Sequence, residues 1–225
     1  MENNSTAPKP VALEIAIQKI WRQSAFHGII HGYLFRNYLR IEGSASFDEL
    51  HYLQNLVRKS KGKKVLEIGF NAGFSSYAML EADPAAEVVS FDLGSHPYTK
   101  IAKKFVDRNF PGRHTLICGD STETVPRFAE KHPDVQFGVA FVDGGHEYET
   151  AKNDLLNIRP LCTKETFVVI DDLAPWLKWG EGPTRVWQEA IDAKIIRQVE
   201  LFMNGRPVER AEPPSTQIWA MGKFV

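Results

Sequence analysis

Strands and helices alternate regularly from about residue 64 onwards, and this alternation restricts the fold more than any other feature of the chain. Short apolar runs with strand character are each followed by a stretch whose apolar residues recur at helical spacing. The pattern predicts strands at 64–69, 87–92, 114–118, 135–143 and 167–171, and helices at 75–81, 98–109, 121–131, 148–158 and 184–193. Because a helix that connects two strands returns the chain in the same direction, we expect an α/β fold with a doubly wound, mostly parallel sheet.

The last part of the chain departs from this alternation. The segments IIRQVELFM and TQIWAMGKFV both have strand character, and the loop between them is polar and contains Pro213 and Pro214. Consecutive strands without a helix between them pair antiparallel. An antiparallel hairpin is therefore predicted at the C-terminal end of the sheet.

The region before the first strand has helical character instead. Residues 1–10 are rich in Asn, Ser and Pro and are expected to form a disordered tail. Apolar residues recur at helical spacing between 11 and about 40, and Ser46 with Glu49 forms a capping box that opens another helix. The predicted divisions of the chain are a tail (1–10), an N-terminal helical cap (11–60) and a main domain (61–225).

Charge and composition argue against several partners. The chain has 27 basic and 28 acidic residues, so it offers no excess of positive charge for nucleic acid phosphates. The apolar segment 11–30 is interrupted by Glu14, Lys19 and Arg22, which argues against a membrane span, and no signal-peptide pattern is present. Because it has only two cysteines, we expect a soluble protein of the reducing cytoplasm.

A glycine-bearing turn follows the first predicted strand. Residues 69–73 read Gly-Phe-Asn-Ala-Gly, and a strand-to-helix turn of this kind exposes backbone amides that suit a polar ligand. A dinucleotide site would need glycine at the position of Asn71, so that the backbone can approach a pyrophosphate. Asn71 therefore argues against a nicotinamide cofactor, and Glu67, just before the turn, suits a cationic ligand.

Two further acids end the next two strands of the pattern. Asp92 stands where a carboxylate can accept hydrogen bonds from both hydroxyls of a ribose, and Asp120 could accept one from an adenine amino group. Each acid alone would suit a turn or a helix cap. Their succession after the glycine turn favours a nucleotide-type site.

A second acidic group follows in FVDGGHEY (141–148) and VVIDDL (168–173). Asp143, Asp171 and Asp172 come at strand ends and would meet at one edge of the sheet, where a divalent cation would offset their repulsion. Oxygen ligands favour magnesium, calcium or manganese over zinc. His146 is a candidate base because the reference pKa of histidine lies near neutral. The alternative, that these side chains cap turns or helices, stays open, above all for Asp172 and His146.

These motifs, in this order, resemble those of the class I methyltransferases that use S-adenosylmethionine. VLEIGFNAG is similar to the family's first motif, Asp92 to its ribose-binding acid, and the Asp120-Ser121 pair to its adenine-binding segment. The resemblance covers roughly 60–225 and implies a Rossmann-like, seven-stranded sheet with the hairpin at one edge. It also implies that the cofactor is contacted by Glu67, Gly69, Asn71, Gly73, Ser75, Asp92, Asp120 and Ser121.

The DGGH and IDD sequences more narrowly resemble the metal-dependent O-methyltransferases that act on macrolide sugars and aminocoumarin glycosides. This resemblance implies that Asp143, Asp171 and Asp172 bind magnesium, that His146 is the catalytic base, and that Asp143 takes part in catalysis beside it. Catechol-type relatives usually carry Lys at the position of His146 and Asn at that of Asp172. A catechol acceptor is therefore less favoured.

The sequence indicates less clearly which residues contact the methyl acceptor. Trp176 and Trp179 lie in a glycine-containing loop after the second acidic group. They could form a lid over the substrate, or they could pack on the core. Tyr33, in the helical cap, is a further candidate contact.

The leading hypothesis is an S-adenosylmethionine-dependent O-methyltransferase that acts on a hydroxyl of a small natural product or sugar-like molecule, with a divalent metal, expected to be magnesium. The alternatives are a metal-independent N- or carboxyl-methyltransferase of the same fold, a non-catalytic nucleotide-binding module and, more remotely, a nicotinamide dehydrogenase. No nucleic acid or membrane partner is expected, and assembly into a homo-oligomer is left open.

Overall fold

The computed structural model describes residues 15–19 and 45–225 of the chain. Residues 15–19 are helical, as the apolar spacing predicts for this region. The predicted tail at 1–10, most of the helical cap before residue 45 and the candidate contact Tyr33 lie outside the described residues. None of the helices within the described ranges is long and apolar enough to cross a bilayer.

Helix α1 (Phe47–Lys59) begins at the predicted cap. The Ser46 hydroxyl accepts the Glu49 backbone N–H at 3.2 Å, which satisfies one of the free donors of the first turn. The apolar face of the helix is buried against α2 (Phe74–Ala82) and against the C-terminal strands. There the Tyr52 ring lies 4.6 Å from the Phe202 ring, measured between centroids.

Eight strands form a single sheet in the order β3-β2-β1-β4-β5-β8-β6-β7. Their bounds are β1 (Lys64–Ile68), β2 (Glu87–Asp92), β3 (His114–Cys118), β4 (Phe137–Val142), β5 (Cys162–Ile170), β6 (Ile196–Met203), β7 (Arg206–Pro207) and β8 (Ile218–Phe224). Strands β1 to β5 run parallel, and β8 pairs antiparallel with both β5 and β6. The doubly wound sheet and the antiparallel hairpin are thereby confirmed. The expected seven strands become eight because the two-residue β7 is added at one edge.

The remaining helices cover both faces of the sheet, as the alternation predicts. They are α3 (Thr99–Asn109), α4 (Ser121–Lys131), α5 (Tyr148–Asn157) and α6 (Glu181–Asp192), with one 3₁₀ turn at Arg159–Leu161. One layer of the core joins the sheet to α1, α2 and α3, and the other joins it to α4, α5 and α6. The sheet is therefore buried on both sides, which explains why its parallel strands read as continuous apolar runs.

Two elements begin earlier than the sequence predicts. Strand β5 starts at Cys162 rather than at 167, because the polar residues 163–166 form an irregularity inside it. The paired residues jump there from Phe137–Cys162 to Val139–Phe167. Helix α6 starts at Glu181 rather than at 184, and it tolerates Pro183 in its first turn, where backbone N–H groups have no partner inside the helix.

The strand order places a crevice at the carboxyl ends of β1 and β4. From β1 the chain winds outward to β2 and β3, and it then returns to the other side of β1 with β4 and β5. The two loops that leave β1 and β4 consequently diverge to opposite faces of the sheet. Such a switch point is where ligands bind in open α/β sheets.

Candidate active site

A cavity of about 470 Å³ opens at this switch point. Most of the predicted site residues line it. They are Gly69, Asn71, Ser75, Asp92, Asp120, Ser121, Asp143, His146, Asp171 and Asp172. No lysine or arginine is among the described residues that line the cavity, so its titratable side chains are acids and two histidines, His96 and His146.

The glycine turn after β1 depends on a close contact between two backbones. Gly69 has a φ of 97°, and a Cβ atom at this position would lie 1.8 Å from the carbonyl oxygen of Asp143. Only glycine allows β1 and β4 to end so close together. Asn71 follows in a left-handed conformation, with a φ of 48°, which asparagine tolerates better than most residues.

Asp92, at the end of β2, is tied to this turn. Its Oδ2 accepts the Asn71 N–H at 2.8 Å, and its Oδ1 accepts the Gly94 N–H at 2.7 Å. These two hydrogen bonds fix the carboxylate at the wall of the cavity. The position agrees with the predicted contact to a ribose, which stays a prediction.

Glu67 lies behind the turn instead of in the cavity wall. It is fully buried, and its carboxylate accepts hydrogen bonds from Ser75 Oγ and Ser90 Oγ, both at 2.5 Å, and from Ser76 Oγ. Burial raises the pKa of Glu67, and the serine hydrogen bonds oppose this rise. Glu67 therefore supports the turn from beneath. Gly73, which is also absent from the cavity lining, is the N-cap of α2.

The hydrogen-bond network of Glu67 and these serines extends to a buried histidine, His114. Ser90 Oγ lies 2.9 Å from His114 Nε2, and the His114 ring stacks on Phe70 with centroids 4.9 Å apart. Burial lowers the pKa of His114 to about 3, so the ring is neutral. Sequence patterns did not single out this residue, because its partners lie on other strands and helices.

Asp120 has the capping role that the sequence left open. Its Oδ1 accepts the Thr122 N–H at 2.9 Å and the Thr122 hydroxyl at 2.7 Å, and these bonds lower the pKa of Asp120. The residue nevertheless lines the cavity together with Ser121. A cap and a contact to adenine are compatible, since a carboxylate has several lone pairs.

The acidic group forms at the ends of β4 and β5. One oxygen of Asp143, one of Asp172 and a ring nitrogen of His146 all lie within 4.8 Å of one another. His146 Nε2 is 2.6 Å from Asp172 Oδ2, and Asp172 adopts a left-handed conformation with a φ of 64°. The structure thus brings His146 into the group, while Asp171 lines the same cavity next to it.

The electrostatics of this group favour binding of a cation. Burial and the charges of neighbouring acids raise the pKa of Asp143, and the same causes raise that of Asp171 to about 7. The hydrogen bond to Asp172 raises the pKa of His146. Several carboxylates without a basic partner match the hard oxygen ligands of magnesium or manganese. The donor set therefore fits a divalent cation.

Glu49, in the first turn of α1, belongs to this acidic group although the sequence assigned it to a capping box. Only 3% of the residue is exposed, and its Oε1 has no hydrogen-bond partner among the described residues. Burial and the neighbouring Asp171 raise its pKa. A sequence signal did exist, because Glu49, Leu53 and Leu56 lie on the same buried face of the helix.

Asp154 of α5 is a second buried acid that sequence reasoning missed. A Cβ atom on Gly144 would lie 2.6 Å from Asp154 Oδ2, so the DGGH turn rests directly on this carboxyl. Asp154 is fully buried, and burial raises its pKa to about 6. Glycine at 144 is thus needed for the turn to pass over the acid.

The two tryptophans differ in their surroundings. Trp176 donates its indole N–H to the Ser215 carbonyl at 2.9 Å and packs on the core, which favours the alternative that it is structural. Trp179 packs on the same core, but its ring also lies 6.2 Å from the His146 ring, between centroids. Neither lines the cavity, so a role in a lid stays a prediction and fits Trp179 better.

We predict that the metal-free protein becomes less stable as the pH rises from about 4 to above 7. The raised pKa values of Asp154 (about 6) and Asp171 (about 7) mean that the folded chain binds more protons than the unfolded chain in this window. His146 acts in the same direction, because its stabilisation is complete below its usual pKa and is lost as the pH rises through the raised one.

Exposed acids with a lowered pKa, such as Asp83, stay ionised there and do not oppose the trend. His114, whose pKa is lowered to about 3, opposes it below about pH 6.5, but it is one group against several buried acids whose pKa is raised, which include Glu49 and Asp143.

Thermal unfolding in the presence of a chelator checks this prediction. Tm should fall by several degrees between about pH 5 and about pH 8, and Asp154→Asn should reduce the fall. A Tm that is constant or rises across this range would contradict it.

Comparisons with known proteins agree with these features. Residues 66–173, just under half of the chain, match the family described as a methyltransferase domain. No curated protein sequence matches the chain.

Three solved structures illustrate the shared fold. The O-methyltransferase from Bacillus cereus in complex with SAH is 14% identical, with a TM-score of 0.71 over 99% of this chain and 94% of that one. TomG from Streptomyces achromogenes, involved in tomaymycin synthesis and bound to SAM, is 15% identical, with a TM-score of 0.67 over 98% and 92%. CalS11, a TDP-rhamnose 3'-O-methyltransferase, is 23% identical, with a TM-score of 0.58 over 77% and 76%.

Proposed function

We propose that the chain is an S-adenosylmethionine-dependent methyltransferase that methylates a hydroxyl group of a small molecule with the help of a divalent cation. The match of residues 66–173 to a methyltransferase domain and the fold shared with solved O-methyltransferases support this proposal. One observation carries this proposal. Asp143, His146 and Asp172 converge to within 4.8 Å in the wall of the same cavity that holds the glycine turn and Asp92. A cofactor site and a site for activating an acceptor are therefore adjacent.

The cofactor half of the cavity consists of the turn after β1 and the ends of β2 and β3. Asp92, held by two backbone N–H groups, has lone pairs left for the ribose hydroxyls, and Asp120 and Ser121 border the place for adenine. S-adenosylmethionine supplies an electrophilic methyl group on its sulfonium. The absence of lysine and arginine from the described lining suits this cation better than a pyrophosphate.

The acceptor half consists of the ends of β4 and β5. Asp143, Asp171 and Asp172 would hold a divalent cation, which lowers the pKa of an acceptor hydroxyl when bound. His146 accepts the hydroxyl proton at Nδ1, while its Nε2–H donates to Asp172 Oδ2, which orients the ring. Residues of both halves hold the acceptor oxygen and the methyl group in line, and this alignment supplies a large part of the rate enhancement.

The charge of the cavity restricts the class of acceptor. A carboxylate would meet several acids and no lysine or arginine among the described lining residues, so carboxyl methylation is disfavoured. A neutral hydroxyl suits the site. A hydroxyl on a natural product or on a sugar-like molecule is in keeping with CalS11, which acts on TDP-rhamnose, and with TomG of tomaymycin synthesis.

A metal-independent N-methyltransferase of the same fold is the second candidate. The observation that favours it is the ion pair between His146 and Asp172, at 2.6 Å, because such a pair can act as a base without a metal. An amine could then bind to the acids directly. The effect of a chelator on methyl transfer separates the two candidates.

The two cysteines bear on where the enzyme is located. Cys118 and Cys162 are both free thiols, which is the state expected in a reducing cytoplasm. We accordingly place the enzyme there.

Replacing Asp92 with Asn should weaken binding of S-adenosylhomocysteine by about 10- to 100-fold. The change removes the charge that accepts the ribose hydroxyls, and hydrogen bonds to charged groups contribute about 1.5–3 kcal/mol. Isothermal titration calorimetry measures the affinity. Asp134→Asn is the matched control, because Asp134 is an exposed acid outside the cavity lining. If the Asp92 variant binds S-adenosylhomocysteine with unchanged affinity, Asp92 does not contact the ribose.

A further inference from the structure

Glu49 lies in an environment that a carboxylate does not tolerate on its own. It projects from the first turn of α1, is 3% exposed, and borders Asp171. The other charges that act on it are those of Asp143 and Asp172, which are also negative. A buried acid surrounded by like charge destabilises the fold unless a cation or a proton neutralises it.

The capping box does not explain this placement. Ser46 Oγ accepts the Glu49 N–H, which needs only the backbone of residue 49. The side chain makes no return bond to the Ser46 N–H, and its Oε1 is left without a partner among the described residues. Any amino acid could fill the backbone role, and an apolar one would suit the buried face of α1 better.

We propose that Glu49 is the fourth carboxylate of the divalent cation site, supplied by helix α1 from outside the methyltransferase domain match. This inference rests on the proposed function, since it concerns the same cation. The unpartnered Oε1 is the oxygen that faces the ion, alongside Asp143, Asp171 and Asp172. Ala45, two residues before α1, lines the cavity as well, so the beginning of this helix is part of the site wall.

A cation held in part by Glu49 links two distant parts of the chain. The cation connects the ends of β4 and β5 to a helix that precedes β1 in the chain. Binding of the ion therefore fixes the start of α1 against the cavity. If the site were built from the two strand ends alone, metal binding would not affect the position of α1.

The test compares the affinity for Mn²⁺ of three proteins, measured by electron paramagnetic resonance of the free ion. They are the wild-type chain, Glu49→Gln, and Asp48→Asn as the matched control. Asp48 is the neighbouring acid of the same helical turn but is exposed, so its variant removes the same charge from the same helix end. Gln keeps the shape of Glu49 and its ability to hydrogen-bond to Asp171. It removes only the charge and the strong ligand oxygen.

We expect Glu49→Gln to weaken Mn²⁺ binding by about tenfold or more, because affinity for such ions follows the number of charged ligands. Asp48→Asn should stay within about twofold of wild type, since Asp48 is exposed and solvent and salt screen its charge. Wild-type affinity in the Glu49 variant would overturn the inference and leave the proposed function standing. Absence of Mn²⁺ binding in the wild-type chain would overturn both.

A second variant covers the case in which Glu49→Gln does not fold. Glu49→Asp keeps the charge but withdraws it by one methylene, so a ligand would lose reach while the electrostatics of α1 stay the same. It should bind Mn²⁺ more weakly than wild type and show a smaller rise in Tm on addition of the ion. If the Mn²⁺ affinity and the rise in Tm of Glu49→Asp equal those of wild type, the inference is likewise overturned.

Discussion

Replacing His146 with Ala should lower turnover by about 10²- to 10⁴-fold, which is the usual contribution of a positioned general base. The loss follows from the removal of the ring: Nε2 is paired with Asp172 Oδ2, so the other nitrogen, Nδ1, accepts the proton of the methyl acceptor. Affinity for S-adenosylhomocysteine should change little, because His146 belongs to the acceptor half of the cavity. Release of S-adenosylhomocysteine with an acceptor that the wild-type enzyme methylates is the measurement.

The pH dependence gives the same experiment a second readout. Only neutral His146 can accept a proton, so wild-type turnover should rise with pH as the ring loses its charge. The His146 variant should lose this limb of the profile. His132→Ala is the control, since His132 is an exposed histidine that follows α4 and is absent from the cavity lining. Wild-type turnover in the His146 variant would end its assignment as the base.

The parallel sheet could be predicted from sequence because its central strands, β1 and β4, are buried on both faces. Such strands must be apolar throughout, so β1 and β4 stand out against the amphipathic helices between them. The prediction failed where this rule does not apply. The first residues of β5 are polar and exposed, and they bulge out of register, so 163–166 resembled a loop.

The residues of the cavity wall could be predicted when they came directly after a strand. Parallel strands end at one edge of the sheet, so Asp92 and Asp143 could be assigned to a common site before any contact was known. The partners within the site could not be assigned in this way. His146 is paired with Asp172, and Glu67 is held by serines behind the turn, because of side-chain conformations that the sequence does not encode locally.

Buried acids far apart in sequence were the main omission. Glu49 meets Asp171 because α1 packs on one face of the sheet with its first turn near the end of β5, and Asp154 meets the DGGH turn because α5 packs against that turn. Both contacts are long-range results of packing. The local signal was a charged residue on the apolar face of a helix, which had a simpler explanation in the cap of α1.

Removal of divalent metal should lower turnover by about 10³-fold, and addition of magnesium should restore it. The carboxylates alone do not stabilise the negative charge that develops on the hydroxyl oxygen, whereas a divalent cation contributes several kcal/mol of charge stabilisation. Asp143→Asn should have an effect of similar size, because Asp143 is one of the carboxylates proposed to hold the cation and lies close to both His146 and Asp172. Asp134→Asn, at an exposed site outside the cavity lining, is the matched control.

Binding of the cofactor provides an internal control for this prediction. Asp92 and the glycine turn make their hydrogen bonds without any of the acids at the ends of β4 and β5. Affinity for S-adenosylhomocysteine should therefore survive both the chelator and the Asp143 variant. A parallel loss of cofactor affinity would mean that the acids support the cavity as a whole.

Metal-dependent methylation of a hydroxyl can be measured with S-adenosylmethionine that carries a labelled methyl group. The acceptors are a panel of glycosides, nucleotide-linked sugars and phenols, each assayed with and without a chelator. We expect methylation of a hydroxyl that stops in the chelator and returns when magnesium is added. Methylation that continues at the same rate in the chelator would contradict it, and would leave the His146–Asp172 pair as a base that acts without metal.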